Sequence, residues 1–204
     1  MEKLSELATG PTHIYLVGVG CVGKTAVGAR LAEILGVKFI EFDKVITETV
    51  GKPIGRIRQQ YLTGYSFRLD HAPILKKTIL DHADESFVLD LAPSGVMDTY
   101  WRLLKKQERA IIVAVLDKPE NILKRITFYD DDDHLIEPKL TDKKMEKLLK
   151  YQLSEIKGDI RYFGRTYKRA NLHVDLDGAG IEDAAKMIER AVKEFVQKRS
   201  KRGA

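Results

Sequence analysis

The chain has 204 residues, of which 44% are hydrophobic and 32% charged, and this balance is typical of a folded domain rather than a disordered chain. No apolar run approaches the roughly 18 residues that a membrane span needs, and the first ten residues lack the apolar segment of a secretory signal. The single cysteine, Cys21, excludes an intramolecular disulfide and favours the reducing cytoplasm. We therefore expect one domain over residues 1–204, with no membrane partner.

The formal net charge of +5 is unevenly distributed. The C-terminal tail, residues 197–204, is basic, whereas residues 130–133 are four consecutive aspartates. A basic tail can bind nucleic acid or an anionic membrane, but only Phe195 lies near this one to stack on a base. We expect a solvated helix end with a frayed terminus, no nucleic-acid partner, and a monomer or weak dimer.

Short apolar runs alternate with segments of helical periodicity along the chain. Pro73 lies inside one helical segment, where it predicts a kink or a break. The alternation is typical of an α/β fold, a mostly parallel sheet of about five strands with helices on both faces. In chain order the patterns predict a strand over 13–17, a helix over 24–35, a strand over 38–42, a helix over 66–82, strands over 87–91 and 110–116, helices over 121–128 and 142–156, a strand over 172–176 and a helix over 181–196.

Residues 18–25 match the phosphate-binding pattern G-x-x-x-x-G-K-[ST] between a predicted strand and a predicted helix. Glycines let the backbone wrap around phosphates with its N–H groups inward, and the helix N-terminus adds a positive dipole end. Lys24 should reach the terminal phosphates and the Thr25 hydroxyl should bind Mg²⁺. Cys21 is either a small filler or a thiol activated by the helix N-terminus. The predicted site for ATP and Mg²⁺ comprises Gly18, Gly20, Cys21, Val22, Gly23, Lys24, Thr25 and Ala26.

Further motifs follow the later predicted strands. Glu41-Phe42-Asp43 ends the second strand, Phe67-Arg68 lies in the next predicted helix, and Leu123-Lys124-Arg125 follows the fourth strand. With the P-loop, these motifs resemble the shikimate kinase family, which has Asp-x-Asp, F-R-x-x-E and L-x-R at these places. The resemblance runs over roughly residues 13 to 196. It implies an ATP-dependent phosphotransferase that acts on a hydroxyl of a small anionic metabolite, with shikimate as the first candidate acceptor.

The resemblance assigns roles to four of these residues. Glu41 corresponds to a carboxylate that holds Mg²⁺ through water, and Asp43 to one that binds the acceptor hydroxyl and takes its proton, which suits phosphoryl transfer; Asp43 could also cap the next helix. Arg68 corresponds to the arginine that grips the acceptor carboxylate with its guanidinium fork, with a surface ion pair to Asp70 as the alternative. Arg125 corresponds to the arginine that packs on adenine, with an exposed helix arginine as the alternative.

Other positions are less tightly assigned. The family has a second carboxylate-binding arginine shortly before a tyrosine, and Arg161 and Arg165 compete for this role; we take Arg161. Of the three glycines that line the family's substrate pocket, only Gly95 remains. Asp90, at the end of the third strand, is either a ligand to Mg²⁺-bound water or a buried structural aspartate. His71 stands where F-R-x-x-E has its acid, and we expect it to be exposed.

The lid over the phosphates, which is basic in the family, corresponds to residues 129–141. Glu137 stands where the family has an arginine, and Lys139 is the nearby cation. We expect a mobile acidic lid that faces outward, with a divalent-metal site as the alternative. Two other functions stay open: another P-loop kinase, such as a gluconate-like or nucleoside monophosphate kinase, and a non-catalytic nucleotide-binding regulator.

Overall fold

A five-stranded parallel sheet lies at the centre of the protein, in a computed structural model that describes residues 10–130, 132, 134–136 and 141–203. The strands of this sheet are β1 (His13–Val17), β2 (Lys38–Glu41), β3 (Phe87–Asp90), β4 (Ala110–Leu116) and β7 (Leu172–Asp175). Two short strands, β5 (Phe128–Tyr129) and β6 (Leu135–Ile136), form a separate pair. The sheet order is β2-β3-β1-β4-β7 with every pair parallel. The predicted α/β class and five-stranded sheet are therefore confirmed.

Helices connect the strands. They are α1 (Lys24–Leu35), α2 (Phe42–Val50), α3 (Ile54–Arg58), α4 (Gly64–Asp81), α5 (Asp98–Leu104), α6 (Pro119–Leu123), α7 (Asp142–Tyr167) and α8 (Ile181–Gly203). Every residue of β1 and of β3 is buried. Because successive strand side chains point to opposite faces, both faces of the central strands are covered.

The helix boundaries depart from the predictions in several places. Helices α3 and α5 were not predicted, and α2 entered only as the helix that Asp43 could cap. Helix α7 continues well past residue 156, and α6 ends five residues before the predicted boundary at 128. Pro73 does not interrupt α4. The carbonyl that Pro73 leaves without a donor belongs to Leu69, and both residues are exposed, so water can take the place of the missing N–H.

The carboxyl ends of β2, β3 and β1 lie side by side at one edge of the sheet. Glu41 pairs in register with Asp90, and Asp90 pairs with Leu16 on the other side. The loop 18–23 therefore leaves the sheet next to the two acidic strand ends. This edge is where ligands bind in sheets of this kind.

The C-terminal tail and the lid range differ from expectation. Helix α8 runs to Gly203, so the tail predicted to fray is helical through that residue, and the Arg199 guanidinium donates to the Glu108 carbonyl oxygen. Strands β5 and β6 pair antiparallel within the predicted lid, whereas Glu137 and Lys139 lie outside the described residues. No helix in the described part is long and apolar enough to cross a bilayer.

Candidate active site

The loop between β1 and α1 is wound tightly against the sheet. A Cβ on Gly18 would lie 2.5 Å from the carbonyl oxygen of Val115 on β4, so only glycine fits there without a backbone shift. Gly23, the residue before α1, has φ +105, and Cys21 has φ +58 with an exposed side chain. Left-handed backbone at two positions gives the loop the curvature that a phosphate cradle requires.

Lys24 and Thr25 connect this loop to β3. Lys24 is only 8% exposed, and its Nζ donates to the Val19 carbonyl oxygen at 3.2 Å. The Thr25 hydroxyl donates to Asp90 Oδ2 at 2.5 Å, while Asp90 Oδ1 is buried without a partner. Burial raises the pKa of Asp90, an effect that nearby Lys24 and the Thr25 hydrogen bond oppose. Asp90 is thus buried, as one alternative held, and it also lies beside Thr25, whose hydroxyl is predicted to bind Mg²⁺, as the other alternative required.

The side chains here fit a phosphate-bound divalent cation. Burial and the neighbouring Asp90 and Asp43 carboxylates raise the pKa of Glu41, so negative charge is concentrated at this point of the edge. In the part of the chain that the structure describes, no group of three or more His, Cys, Asp or Glu could hold a metal ion by itself. A cation at this edge would therefore need phosphate and water oxygens besides Thr25 and the carboxylates, which is how Mg²⁺ is usually held with nucleotides.

Asp43 lies in the first turn of α2 and is held by an arginine. Glu41, not Asp43, occupies the N-cap position of α2, so the capping alternative is wrong. Asp43 Oδ2 accepts from the Arg58 guanidinium at 2.7 Å, and Asp43 Oδ1 is buried without a hydrogen-bond partner among the described residues. The Arg58 guanidinium also lies over the Phe67 ring, 5.7 Å from its centroid. One carboxylate oxygen is thus fixed by Arg58, and the buried one keeps its capacity to accept a hydrogen bond.

Arg68 is a buried residue of α4. It is 6% exposed, so the alternative of a surface ion pair is wrong, and Asp70 instead accepts from the Tyr61 hydroxyl. The Arg68 guanidinium donates to Asp98 Oδ2 at 2.5 Å, and its Nε is buried with no acceptor in the part of the chain that the structure describes. A charge-assisted pair of this length holds the guanidinium in one orientation.

A cavity of about 760 Å³ opens beside these pairs. Its walls combine aromatic and apolar side chains with charged groups, so it suits a small ring that carries polar substituents. The lining residues are Arg58, Tyr61, Leu62, Thr63, Gly64, Tyr65, Phe67, Arg68, Ala92, Pro93, Ser94, Met97, Asp98, Asp159, Tyr162 and Phe163.

Of the predicted substrate residues, Arg68 is among the lining residues, whereas Asp43, Gly95, Arg161 and the competing Arg165 are not. Helix α7 contributes Asp159, Tyr162 and Phe163 to the lining, whereas Arg161 and Arg165 are exposed and are not among the lining residues. Gly95 is a buried residue of the loop that follows β3, and a Cβ there would lie 2.6 Å from the Leu91 Cβ. The cavity is instead lined by residues 92–94 of that loop.

Arg125 follows α6 and is anchored near the P-loop. Its guanidinium donates to Asp117 Oδ2 at 2.6 Å, to the Ala179 carbonyl oxygen at 3.1 Å and to the Val22 carbonyl oxygen at 3.4 Å. The alternative of an exposed helix arginine is therefore wrong. The contact with Val22 leaves the guanidinium on the side of the nucleotide loop, where an adenine ring could stack on it.

His71 is buried, contrary to the expectation of an exposed histidine. It is 3% exposed, its Nδ1–H donates to the Phe67 carbonyl oxygen at 2.7 Å, and the His71 and Phe67 rings stack with centroids 4.3 Å apart. The acid beside Arg68 therefore comes from Asp98 on α5. Sequence reasoning missed Asp98 and Arg58, although Asp98 follows the loop at the carboxyl end of β3, a position that such folds use for ligands.

The described part of the acidic run is paired. Asp132 accepts two hydrogen bonds from the Arg56 guanidinium of α3, at 2.9 and 3.1 Å, and Asp130 accepts from the His134 backbone N–H at 2.9 Å. Asp132 therefore contacts α3 and does not simply face outward. Asp131 and Asp133 lie outside the described residues.

Comparison with known proteins adds the family. The family model described as shikimate kinase matches residues 20–194. The shikimate kinase of Caldanaerobacter subterraneus subsp. tengcongensis is 25% identical over 179 residues, which are 88% of this chain and 95% of that protein. The shikimate kinase of Chlorobium phaeovibrioides is 28% identical over 200 residues, 98% of this chain and 94% of that protein.

Solved structures share the fold. Shikimate kinase from Acinetobacter baumannii in complex with shikimate aligns with a TM-score of 0.62 and 24% identity, covering 93% of this chain and 97% of that one. A gluconokinase from Sinorhizobium meliloti aligns almost as well, with a TM-score of 0.61, 18% identity and coverage of 95% and 98%. Structural likeness thus leaves the acceptor open, but the family model covers most of the chain, and the chain belongs to the shikimate kinase family.

Proposed function

We propose that this protein transfers the terminal phosphoryl group of ATP to a hydroxyl of shikimate, acting as a single domain, a monomer or weak dimer, in the cytoplasm. The observation that carries the proposal is a cavity lined by the buried cation Arg68 and by Arg58, the residue that holds the Asp43 carboxylate. Residues 92–94 also line the cavity, and they closely follow Asp90, which accepts from Thr25 of the phosphate loop. The names of the bacterial relatives supply shikimate as the acceptor.

The nucleotide half of the proposed site is the loop 18–26 with its neighbours. Inward N–H groups would bind the phosphates, and Lys24 would turn from the Val19 carbonyl towards their terminal oxygens. Mg²⁺ would be held by Thr25, with Asp90 and Glu41 binding its water ligands. When bound, this cation neutralises charge on the transferring phosphoryl group.

The acceptor half is the cavity wall to which α3, α4, α5 and α7 contribute, together with Asp43 of α2, which Arg58 of that wall holds. Asp43 Oδ1, buried without a partner, would accept a hydrogen bond from the acceptor hydroxyl and then take its proton. Arg68 would bind the acceptor carboxylate, and Arg161 would move in as a second grip. Arg58 lines the same wall, and its pairing with Asp43 would hold that carboxylate in place.

These groups account for the transfer in outline. The acceptor oxygen bonds to the terminal phosphorus as the bridging oxygen leaves with ADP, and the hydroxyl proton passes to Asp43. Positioning and charge neutralisation supply most of the catalysis in such transfers. Arg125 would shape the nucleotide half by packing on the adenine ring. Gly95 would shape the acceptor half by letting the loop after β3 pack closely.

The second candidate is another small-molecule kinase. It is favoured by the nearly equal structural likeness to a gluconokinase and by a cavity whose wall bears acids, Asp98 and Asp159, besides arginines. A non-catalytic nucleotide-binding regulator would share the loop but would lack acceptor-dependent turnover.

The test is ADP release measured with shikimate, gluconate, nucleoside monophosphates or no acceptor. We expect shikimate to raise the rate strongly above the rate without acceptor. Arg68→Ala should raise the KM for shikimate far more than the KM for ATP. Arg30→Ala is the control, because Arg30 forms an exposed pair with Glu182 away from the cavity. If only gluconate raises the rate of ADP release, gluconate and not shikimate is the acceptor. If no acceptor raises the rate, the protein is better explained as a nucleotide-binding regulator.

A further inference from the structure

Arg68 is a cation that the fold has removed from water. Its side chain is 7% exposed in the pair with Asp98, whose own side chain is 35% exposed. A buried guanidinium is costly unless a hydrogen-bonded opposite charge accompanies it. The state of Asp98 therefore decides whether Arg68 can be held at the cavity in one orientation.

The helix that carries Arg68 supplies no acid for this purpose. His71 lies three residues further along α4, the spacing at which two helix side chains face one another. Its ring is occupied with Phe67, through the stack and the hydrogen bond to the Phe67 carbonyl oxygen. A carboxylate for Arg68 must therefore come from another element.

Helix α5 provides that carboxylate at its first residue. Asp98 follows the loop that lines the cavity, and its backbone has φ +45, a left-handed conformation that Asp and Asn tolerate better than most residues. The next residue makes a second tie, because the Thr99 hydroxyl donates to the Arg68 carbonyl oxygen at 3.1 Å. The start of α5 thus holds both the side chain and the backbone of Arg68.

We propose that Asp98 is the positioning residue for Arg68, and that it supplies from α5 the carboxylate that α4, whose Asp70 accepts from Tyr61, does not place beside Arg68. Asp98 fixes one side of the guanidinium of a residue that lines the cavity, so that the other donors stay available to an acceptor. The choice of acceptor carboxylate as the group bound rests on the proposed function; the positioning of Arg68 does not.

The kinetic test removes the negative charge of Asp98 and then supplies a carboxylate from α4 instead. Asp98→Asn keeps the shape and tolerates the backbone, so it removes the charge alone. Losing one charge-assisted hydrogen bond should raise the KM for shikimate roughly 10- to 100-fold and leave the KM for ATP unchanged. His71→Glu added to Asp98→Asn returns a carboxylate one turn from Arg68 and should recover most of that loss.

The matched control is Asp177→Asn. Asp177 has the same φ of +45 and an exposed pair with Lys118, so it undergoes the same chemical change at the same backbone geometry, and the KM for shikimate should not move. An unchanged KM in Asp98→Asn, or a raised KM that the double variant does not lower, would overturn the proposal.

A second readout does not depend on the acceptor. The Nε–H signal of Arg68 in a ¹⁵N NMR spectrum, assigned by its loss in Arg68→Lys, should be sharp and slow to exchange with solvent in the wild type. It should shift and broaden in Asp98→Asn and return in the double variant. An unchanged signal in Asp98→Asn would overturn the inference even if the wild type uses no shikimate, a failure that would show separately as absent turnover.

Discussion

Lys24 is buried, and its ammonium group donates a hydrogen bond to the Val19 carbonyl oxygen of the phosphate loop. Removing its ammonium group deletes the charge that faces the terminal phosphates in the proposed site. We expect Lys24→Ala to lower kcat by at least roughly 100-fold, the usual effect of losing a transition-state donor. Circular dichroism should show an intact fold. Turnover close to that of the wild type would exclude Lys24 from the reaction.

Asp90 makes a prediction about stability and pH. Because its pKa is raised by burial, the folded state binds this proton more tightly than the unfolded state does. Ionised Asp90 therefore destabilises the fold, and the effect grows as pH rises above the unfolded value of about 4. Asp90→Asn should raise the melting temperature at pH 7, with no gain near pH 3.

Activity should move the other way in the same variant. Asp90→Asn should need a higher Mg²⁺ concentration for half-maximal rate, because Asn cannot offer a charged oxygen to the cation's water. A variant that is both less stable at pH 7 and unchanged in its Mg²⁺ requirement would contradict both proposed effects of Asp90.

The sequence predicted the positions of residues that belong to a local motif, but not the contacts between residues distant in the chain. The pattern of residues 18–25 placed Lys24 and Thr25 correctly at the start of α1. The burial of His71 and the pairing of Arg68 with Asp98 could not be read from the sequence, since partners 30 residues apart meet only when α4 and α5 pack together.

Among the elements, the P-loop depends on close contact with β4. A Cβ at Gly18 would meet the Val115 backbone oxygen at 2.5 Å, whereas one at Gly20 would meet nothing within 4 Å. A backbone atom cannot yield as a side chain can, so Gly18→Ala should destabilise the fold by about 1–3 kcal/mol, as overpacking usually does.

Gly20→Ala is the matched control for this change, and its thermal unfolding without nucleotide should resemble that of the wild type. Equal melting temperatures for the two variants would show that the loop does not press against β4 as described.

The elements that were predicted share a property. Apolar runs such as Ala110–Leu116 have both faces covered and are visible in the sequence, and the strand ends differ by at most one residue. Helices α2, α3 and α5 span only nine, five and seven residues. Such short helices show too few turns for a periodic pattern, and tertiary packing rather than propensity stabilises them. They nevertheless carry Asp43, Arg58 and Asp98.

At the scale of the whole molecule, the scaffold and the acceptor site are separable. The nucleotide loop and the sheet order follow from strong local patterns, and the same scaffold is shared with a gluconokinase. The cavity is lined by residues of two short helices, α3 and α5, of α4 and α7, and of two connecting segments, so its composition depends on how distant segments pack. Sequence alone therefore favoured the fold and the nucleotide more firmly than the acceptor.

A ligand that binds only the folded chain must raise its stability. Mg²⁺–ADP at about 100 times its dissociation constant should add about 2.7 kcal/mol, a rise of roughly 5–10 °C in a chain of this size. Differential scanning calorimetry should show this rise for the wild type and a smaller one for Gly18→Ala. Equal rises in both proteins would place the nucleotide elsewhere.

Isothermal titration of the wild-type protein with Mg²⁺–ATP, with no acceptor present, measures directly whether residues 18–25 form a nucleotide site. We expect a measurable heat that saturates at one nucleotide per chain, with a dissociation constant in the range of roughly 1 μM to 1 mM typical of enzyme substrates. The absence of any heat of binding with Mg²⁺–ATP and also with Mg²⁺–GTP would contradict the account.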